Sequence, residues 1–182
     1  MPENSAYVTD ACERLLEALL SDHGLKSLVE VAADVLGNPV LVADPTYRYA
    51  ARAGFELEED DESTFAQVTR RELAEDDTIL DEGVRYIIET GVDEELARSR
   101  GAVLRHNPVY GLDTLTQAVM VHGVCLGRVM VIARNRAFTE EDRLVFARLA
   151  ALLGQELQKG AFLSGGDAAA GPYFLSRLLD DE

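Results

Sequence analysis

The sequence predicts an α+β fold: an antiparallel sheet of about five to six strands flanked by helices, with the N- and C-terminal helices packed together. Three observations predict it. Two β-rich runs, Thr114–Val121 and Val124–Ala133, meet at His122-Gly123, a tight-hairpin signal because such turns require positive φ. The second run is almost wholly apolar, as expected of a central strand covered on both faces. Strand-like segments cluster at 40–53 and 102–133 with helical patterns between and around them, which favours antiparallel pairing over alternating βαβ units.

Each element has its own local signal. Val8, Cys12, Leu15, Leu16 and Leu19 recur at helical spacing over Asn4–Leu20, with Asn4 or Ser5 as cap. A second helix spans Leu25–Leu36 and stops at Gly37, because Asn38-Pro39 forbids continuation. Val40–Ala43 reads as a short buried strand, Asp44-Pro45-Thr46 as a turn, and Tyr47–Ala53 as the returning strand. The acidic run Glu56–Glu62 reads as a mobile, solvated loop; it lacks the alternating ligands and the glycine of a calcium loop. Ser63–Ala74 and Glu82–Thr90 read as short helices, Asp93–Ser99 as a further helical turn, and Ala102–Arg105 as a strand. Gly127 interrupts the central run, where a glycine marks a bulge or a close backbone approach. The last long helix starts at Thr139, whose hydroxyl precedes three acids, and is expected to end at Lys159-Gly160. Ala161–Gly171 reads as a small-residue linker, and Tyr173–Leu179 as the start of a further amphipathic segment. The implied organisation is a helical pair at 1–37, a sheet-containing domain with its closing helix at 38–160, and a linker with the start of a following segment at 161–182.

Composition narrows the function classes. A net charge of −16 opposes the phosphate neutralisation on which nucleic-acid affinity rests, so these residues are not expected to bind DNA or RNA themselves. No apolar run reaches membrane-spanning length and the N-terminus lacks a secretory pattern, so a cytoplasmic location is expected. Cys12 and Cys125 are too few for a disulfide framework and read as small buried apolar residues.

Catalytic patterns are sparse. His122 and Cys125 lack a second ligand pair for zinc, so no metal is expected. Phosphate-binding loops of the GxxxxGK[ST] type, GxSxG elbows and GxGxxG turns do not occur. A ligand pocket between the sheet and the helices crossing one face is the stronger expectation, apolar with a few convergent polar groups. The candidate lining residues are Arg105, His106 and Tyr110 before the hairpin, Gln117 and Met120 on it, and Tyr47 and Tyr49 from the earlier strand. Arg105 would matter most for an anionic ligand, because its planar fork matches a carboxylate.

A resemblance refines this reading. Leu25-Lys26-Ser27-Leu28 through Leu36-Gly37-Asn38-Pro39, the apolar run Val40–Ala43 and Asp44 resemble the opening of GAF-like sensor domains. The more specific likeness is to bacterial transcription regulators of the PucR and sugar-diacid-regulator type. Val124–Val131 followed by Phe138-Thr139-Glu140-Glu141-Asp142 is similar to the last strand and closing helix of those domains. Phe174–Leu179 is similar to the segment leading to their DNA-binding part. The resemblance implies a GAF/PAS-like, non-catalytic sensor that binds a small effector, needs no cofactor, and forms a homodimer through its terminal helices. It would signal to a DNA-binding module absent from this chain. Two alternatives stand beside it: a dimerisation module with a degenerate pocket, and a GAF-type methionine sulfoxide reductase built on Cys125.

Overall fold

The computed structural model describes residues 3–75, 78–99 and 101–163. Two helices come first, α1 (Glu3–Leu20) and α2 (Gly24–Leu36), then the strands β1 (Val40–Ala43) and β2 (Tyr49–Ala53). Three short helices follow, α3 (Thr64–Ala74), α4 (Asp81–Thr90) and α5 (Val92–Arg98). The strands β3 (Val103–Asn107), β4 (Leu112–Val121) and β5 (Val124–Ile132) lead into the closing helix α6 (Glu140–Leu163).

The five strands form one antiparallel sheet in the order β2-β1-β5-β4-β3. β5 is the middle strand, as its almost wholly apolar run predicts. Its hairpin with β4 turns on His122 and Gly123 at φ 51° and 81°, both in the left-handed region that a two-residue turn matching strand twist requires. Val119 pairs with Gly127 and Met120 with Cys125, so Leu126 is an extra residue and β5 carries a bulge. At Gly127 (φ 155°) an added Cβ would lie 2.4 Å from the backbone carbonyl oxygen of Ala43 on β1. The glycine thus marks both a bulge and a close approach.

Alternation along the strands separates two faces. Val40, Val42, Leu115, Val119, Val129 and Val131 point to one, where α1, α2 and α6 bury Leu15, Leu28, Leu36, Phe146, Leu149 and Leu153 against them. Each of these large helix side chains contributes about 2 kcal/mol by leaving water. The terminal helices α1 and α6 pack side by side and run the same way. Tyr7 meets Asp142 at one end, and Asp22 meets Lys159 at the other. On the opposite face a smaller core of Leu41, Phe65, Val68, Leu80, Tyr110 and Ile132 packs beneath α3 and the α3–α4 connection.

Buried Asn38 joins the two halves of the chain. Its Oδ1 accepts from the backbone N–H of Asn135 (2.9 Å) and of Arg136 (3.3 Å), and its Nδ2 donates to the Arg136 carbonyl (3.0 Å). The Leu-Gly-Asn-Pro sequence therefore stops α2 and clasps the loop between β5 and α6.

Several boundaries differ from the sequence expectations. The returning strand begins at Tyr49 because Tyr47 is left-handed (φ 68°), held by Asp44, whose Oδ1 accepts from the N–H groups of Thr46 (2.7 Å) and Arg48 (3.1 Å). β3 runs on to Asn107, where it pairs with Leu112. α6 continues through Gly160 to Leu163, since one glycine lowers helix propensity without breaking the hydrogen-bond ladder. The acidic run is exposed along most of its side chains, yet its backbone is gripped: Arg70 donates to the carbonyls of Glu58 (3.1 Å) and Asp61 (2.7 Å), and Arg134 to that of Glu56 (2.7 Å). The segment expected at Tyr173–Leu179 lies outside the described residues.

Candidate functional site

The sheet face under α4 and α5 holds a cavity of about 50 Å³. The apolar part of its lining comes from Leu41, Val103 and Met130 on the sheet and from Ile79, Ile87, Val92 and Leu96 above it. The polar part consists of Arg105, Asn107, Thr114, Thr116 and Arg128 from the strands, with Tyr86 and Glu95 from the helices. Pairing explains why the strand groups share a side. Arg105 lies opposite Thr114 and Val103 opposite Thr116, which in turn lies opposite Met130; Met130 also faces Leu41 on the other flank. Arg128 is two residues from Met130 and so points to the same face.

Arg128 is the most heavily buried charge of this lining, its side chain 9% exposed. Nη2 donates to Asp93 Oδ2 (3.1 Å), and the guanidinium lies 4.5 Å from the centroid of the Tyr47 ring. Tyr47 donates its hydroxyl to the same Asp93 oxygen (2.9 Å). Burial first, and then the Asp93 carboxylate, push the Tyr47 hydroxyl above its usual pKa, so it stays a donor. Nη1 of Arg128 is buried and has no hydrogen-bond partner. The left-handed backbone of Tyr47, strained for so bulky a residue by about 1–3 kcal/mol, sets its ring beneath this arginine. Toward the sheet edge Arg105 pairs with Glu95 (2.9 Å).

A second polar group lies on the same sheet face, in the core beneath α3. Glu72, 1% exposed, accepts from the Tyr49 hydroxyl (2.6 Å) and the Tyr110 hydroxyl (2.9 Å), and the two hydroxyls are 3.1 Å apart. Burial, reinforced by the Glu72 charge and by mutual contact, raises the Tyr49 pKa. Burial and the Glu72 charge likewise raise that of Tyr110. Both phenols remain protonated donors that hold a carboxylate inside an aromatic cluster with Phe65 and Phe55.

The fold scatters the residues that the sequence singles out. Arg105 lines the cavity, Tyr47 underlies it through Arg128, and Tyr49 and Tyr110 belong instead to the Glu72 cluster. His106 is exposed and meets Asp113 at 3.0 Å. Gln117 lies opposite Val129, on the face covered by α1, α2 and α6, away from the cavity. Met120, 46% exposed, stands at the hairpin end next to the bulge. Sequence reasoning passed over Arg128, Asp93 and Thr116. Arg128 did carry a signal: a charge within an otherwise apolar central run must be paired or put to use when buried.

A five-stranded antiparallel sheet, with its terminal helices on one face and a helix-roofed cavity on the other, defines an α+β sheet-and-helix domain. Solved structures agree on the fold. A GAF domain of a phosphoenolpyruvate-protein phosphotransferase from Coxiella burnetii is similar, with a TM-score of 0.51 at 15% identity over 90% of this chain and 99% of that one. A GAF domain of an Acinetobacter phosphoenolpyruvate-protein phosphotransferase gives 0.50 at 17%, over 88% and 97%. The cofactor-binding GAF domain of the nutrient sensor CodY from Clostridium difficile gives 0.50 at 14%, over 82% and 97%. The chain thus has the GAF fold. No protein-family model and no curated protein matches its sequence. Among the described residues no helix is long and apolar enough to cross a membrane, and no group of three His, Cys, Asp or Glu side chains is placed to hold a metal.

Proposed function

We propose that this chain is a non-catalytic sensory domain that binds a small effector in the cavity between the sheet and α4–α5. The observation that carries the reading is that cavity itself: apolar walls with two arginines and two threonines converging from three adjacent strands, the composition of a ligand pocket. Support for a non-catalytic role comes from the lining, where Glu95 is taken up by its ion pair with Arg105. Cys12 lies on α1, and Cys125 lies at the hairpin end of β5 with its thiol donating to the Gly127 carbonyl (3.3 Å). The resemblance of Leu36-Gly37-Asn38-Pro39 and Phe138–Asp142 to PucR and sugar-diacid regulators favours a transcription regulator in the bacterial cytoplasm, signalling to a DNA-binding module outside these residues. The organisation that goes with it is a helical pair at 1–37, a sensor domain at 38–160 and a linker beyond.

A thermal-shift screen of the chain against short organic acids, amino acids, sugar acids and purine catabolites tests the reading. A binder present at one hundred times its Kd adds about 2.7 kcal/mol of apparent stability, or roughly 5–10 °C for a domain of this size. One class raising the melting temperature is the expected result. A panel that leaves it unmoved throughout overturns the sensor reading.

The second reading, a dimerisation module, is favoured by the outer surfaces of α1 and α6, where Leu16, Leu20 and Leu144 are 46%, 73% and 59% exposed. Sensing and dimerisation are compatible, because an effector can favour one dimer arrangement. Light scattering at high concentration is expected to give twice the chain mass, and Leu20→Glu with Leu144→Glu to return it to one. A monomer at every concentration removes the dimer.

A further inference from the structure

The chemistry of the cavity specifies its ligand more closely than its position does, and the ligand class rests on the sensor reading of that cavity. Each arginine of the lining has one acidic partner, Arg105 with Glu95 and Arg128 with Asp93. The partners are unequally placed: the side chains of Glu95 and Asp93 are 44% and 35% exposed, that of Arg128 only 9%. Water therefore screens the acids while the buried cation keeps most of its charge, and Asp93 divides its oxygen between Arg128 and Tyr47. Nη1 of Arg128 lacks any partner, and a buried donor left unpaired is costly enough to demand explanation. Thr116, diagonal to Arg128 on the same face, brings a hydroxyl to the same cavity lining.

We infer that the cavity receives a short-chain monocarboxylate, its head group on Nη1 of Arg128 and the Thr116 hydroxyl, its hydrocarbon end on Leu41, Met130 and Val103. A carboxylate satisfies the orphaned donor and the residual positive charge together, whereas a neutral carbonyl satisfies only the donor. Size sets the chain length. A cavity of about 50 Å³ is small, which favours an acid of two to four carbons over a sugar acid or a base. The apolar row beside the head group disfavours a second charge on the ligand.

Calorimetric titration of the full chain with acetate, propionate, butyrate and pyruvate, each beside its neutral amide, tests the assignment. Propionate is expected to bind at least about tenfold more tightly than propionamide, and Arg128→Met to weaken propionate about thirtyfold while leaving propionamide unchanged. Arg128→Lys keeps the charge without the fork and should recover part of the loss, which preserves the test if Arg128→Met does not fold. Val103→Phe, which fills the cavity, should remove binding of acid and amide alike. Acid and amide binding equally, and both lost in Val103→Phe, would overturn the carboxylate assignment while leaving the sensor reading intact. Propionate binding that survives Val103→Phe, or is undiminished in both Arg128 variants, would overturn the site. If none of the short acids binds while a compound from the wider screen does, the assignment fails alone; if that screen is also blank, both fail.

Discussion

Gly127→Ala is expected to lower the melting temperature by roughly 8–16 °C, the equivalent of about 4 kcal/mol in a domain of this size. The added methyl would stand 2.4 Å from the Ala43 carbonyl oxygen, well inside contact distance, and 3.4 Å from its carbonyl carbon. Neither partner can retreat cheaply. Ala43 pairs with Arg128 on one side and Tyr49 on the other, and β5 is held between β1 and β4. The φ of 155° adds conformational strain of about 1–3 kcal/mol to an overpacking cost of similar size. Gly101→Ala provides the control, because nothing lies within 4 Å of its added Cβ and its backbone is not left-handed. Thermal melts of the two variants, followed by circular dichroism, check the claim; equal melting temperatures would show that the close approach is not limiting.

Asp142→Ala is expected to cost about 3 kcal/mol at neutral pH, since it leaves the partners of a buried charge unpaired. Asp142 is 1% exposed and is the meeting point of three segments. Arg136 binds it through two parallel hydrogen bonds of 2.7 Å, Tyr7 of α1 donates to it at 2.9 Å, and the Thr139 backbone N–H donates at 2.8 Å. The Thr139 hydroxyl accepts from the Asp142 N–H (3.2 Å), completing a reciprocal cap at the start of α6. Burial by itself would raise the Asp142 pKa, but the hydrogen bonds from Arg136, Thr139 and Tyr7 outweigh it and hold the carboxyl below its usual value. Burial, and then the same contact, push the Tyr7 hydroxyl up to about 12, so it donates throughout the neutral range. Because the folded pKa is the lower one, the stabilisation is complete above the unfolded value of about 3.9 and disappears as pH falls through the folded value. Urea melts at pH 7 and pH 3 should show the gap between wild type and Asp142→Ala narrowing in acid. A gap that widens would contradict the assigned sign.

Signals local to the chain were legible. Among the described residues, helical patterning located the helices to within a few residues, α5 as a further helical turn. The His122-Gly123 pair identified the hairpin, the apolar run at 124–133 identified the middle strand, and Gly127 identified its bulge and close approach. The Thr139 cap was legible for the same reason: its physics is contained within a few consecutive residues. The misplaced boundaries at Tyr47 and Gly160 were decided by wider context, an Asp44-centred turn in one case and the continuing ladder of a long helix in the other.

The candidate site was only partly legible, because its groups lie far apart in sequence and meet through tertiary structure. Arg128 and Asp93 are 35 positions apart, and Tyr110 and Glu72 are 38. Alternation shows that Arg105 and Arg128 can share a face, but only the pairing register, offset by the extra Leu126, aligns them. The same register turns Gln117 toward the terminal helices. By itself, then, the sequence determined the secondary structure, the central strand and the antiparallel class, because short-range sterics and hydrophobic period govern them. Only the tertiary structure decided which sheet face carries the cavity and that Arg128 is buried there with an unpaired donor, because both depend on where α4 and α5 settle across the sheet.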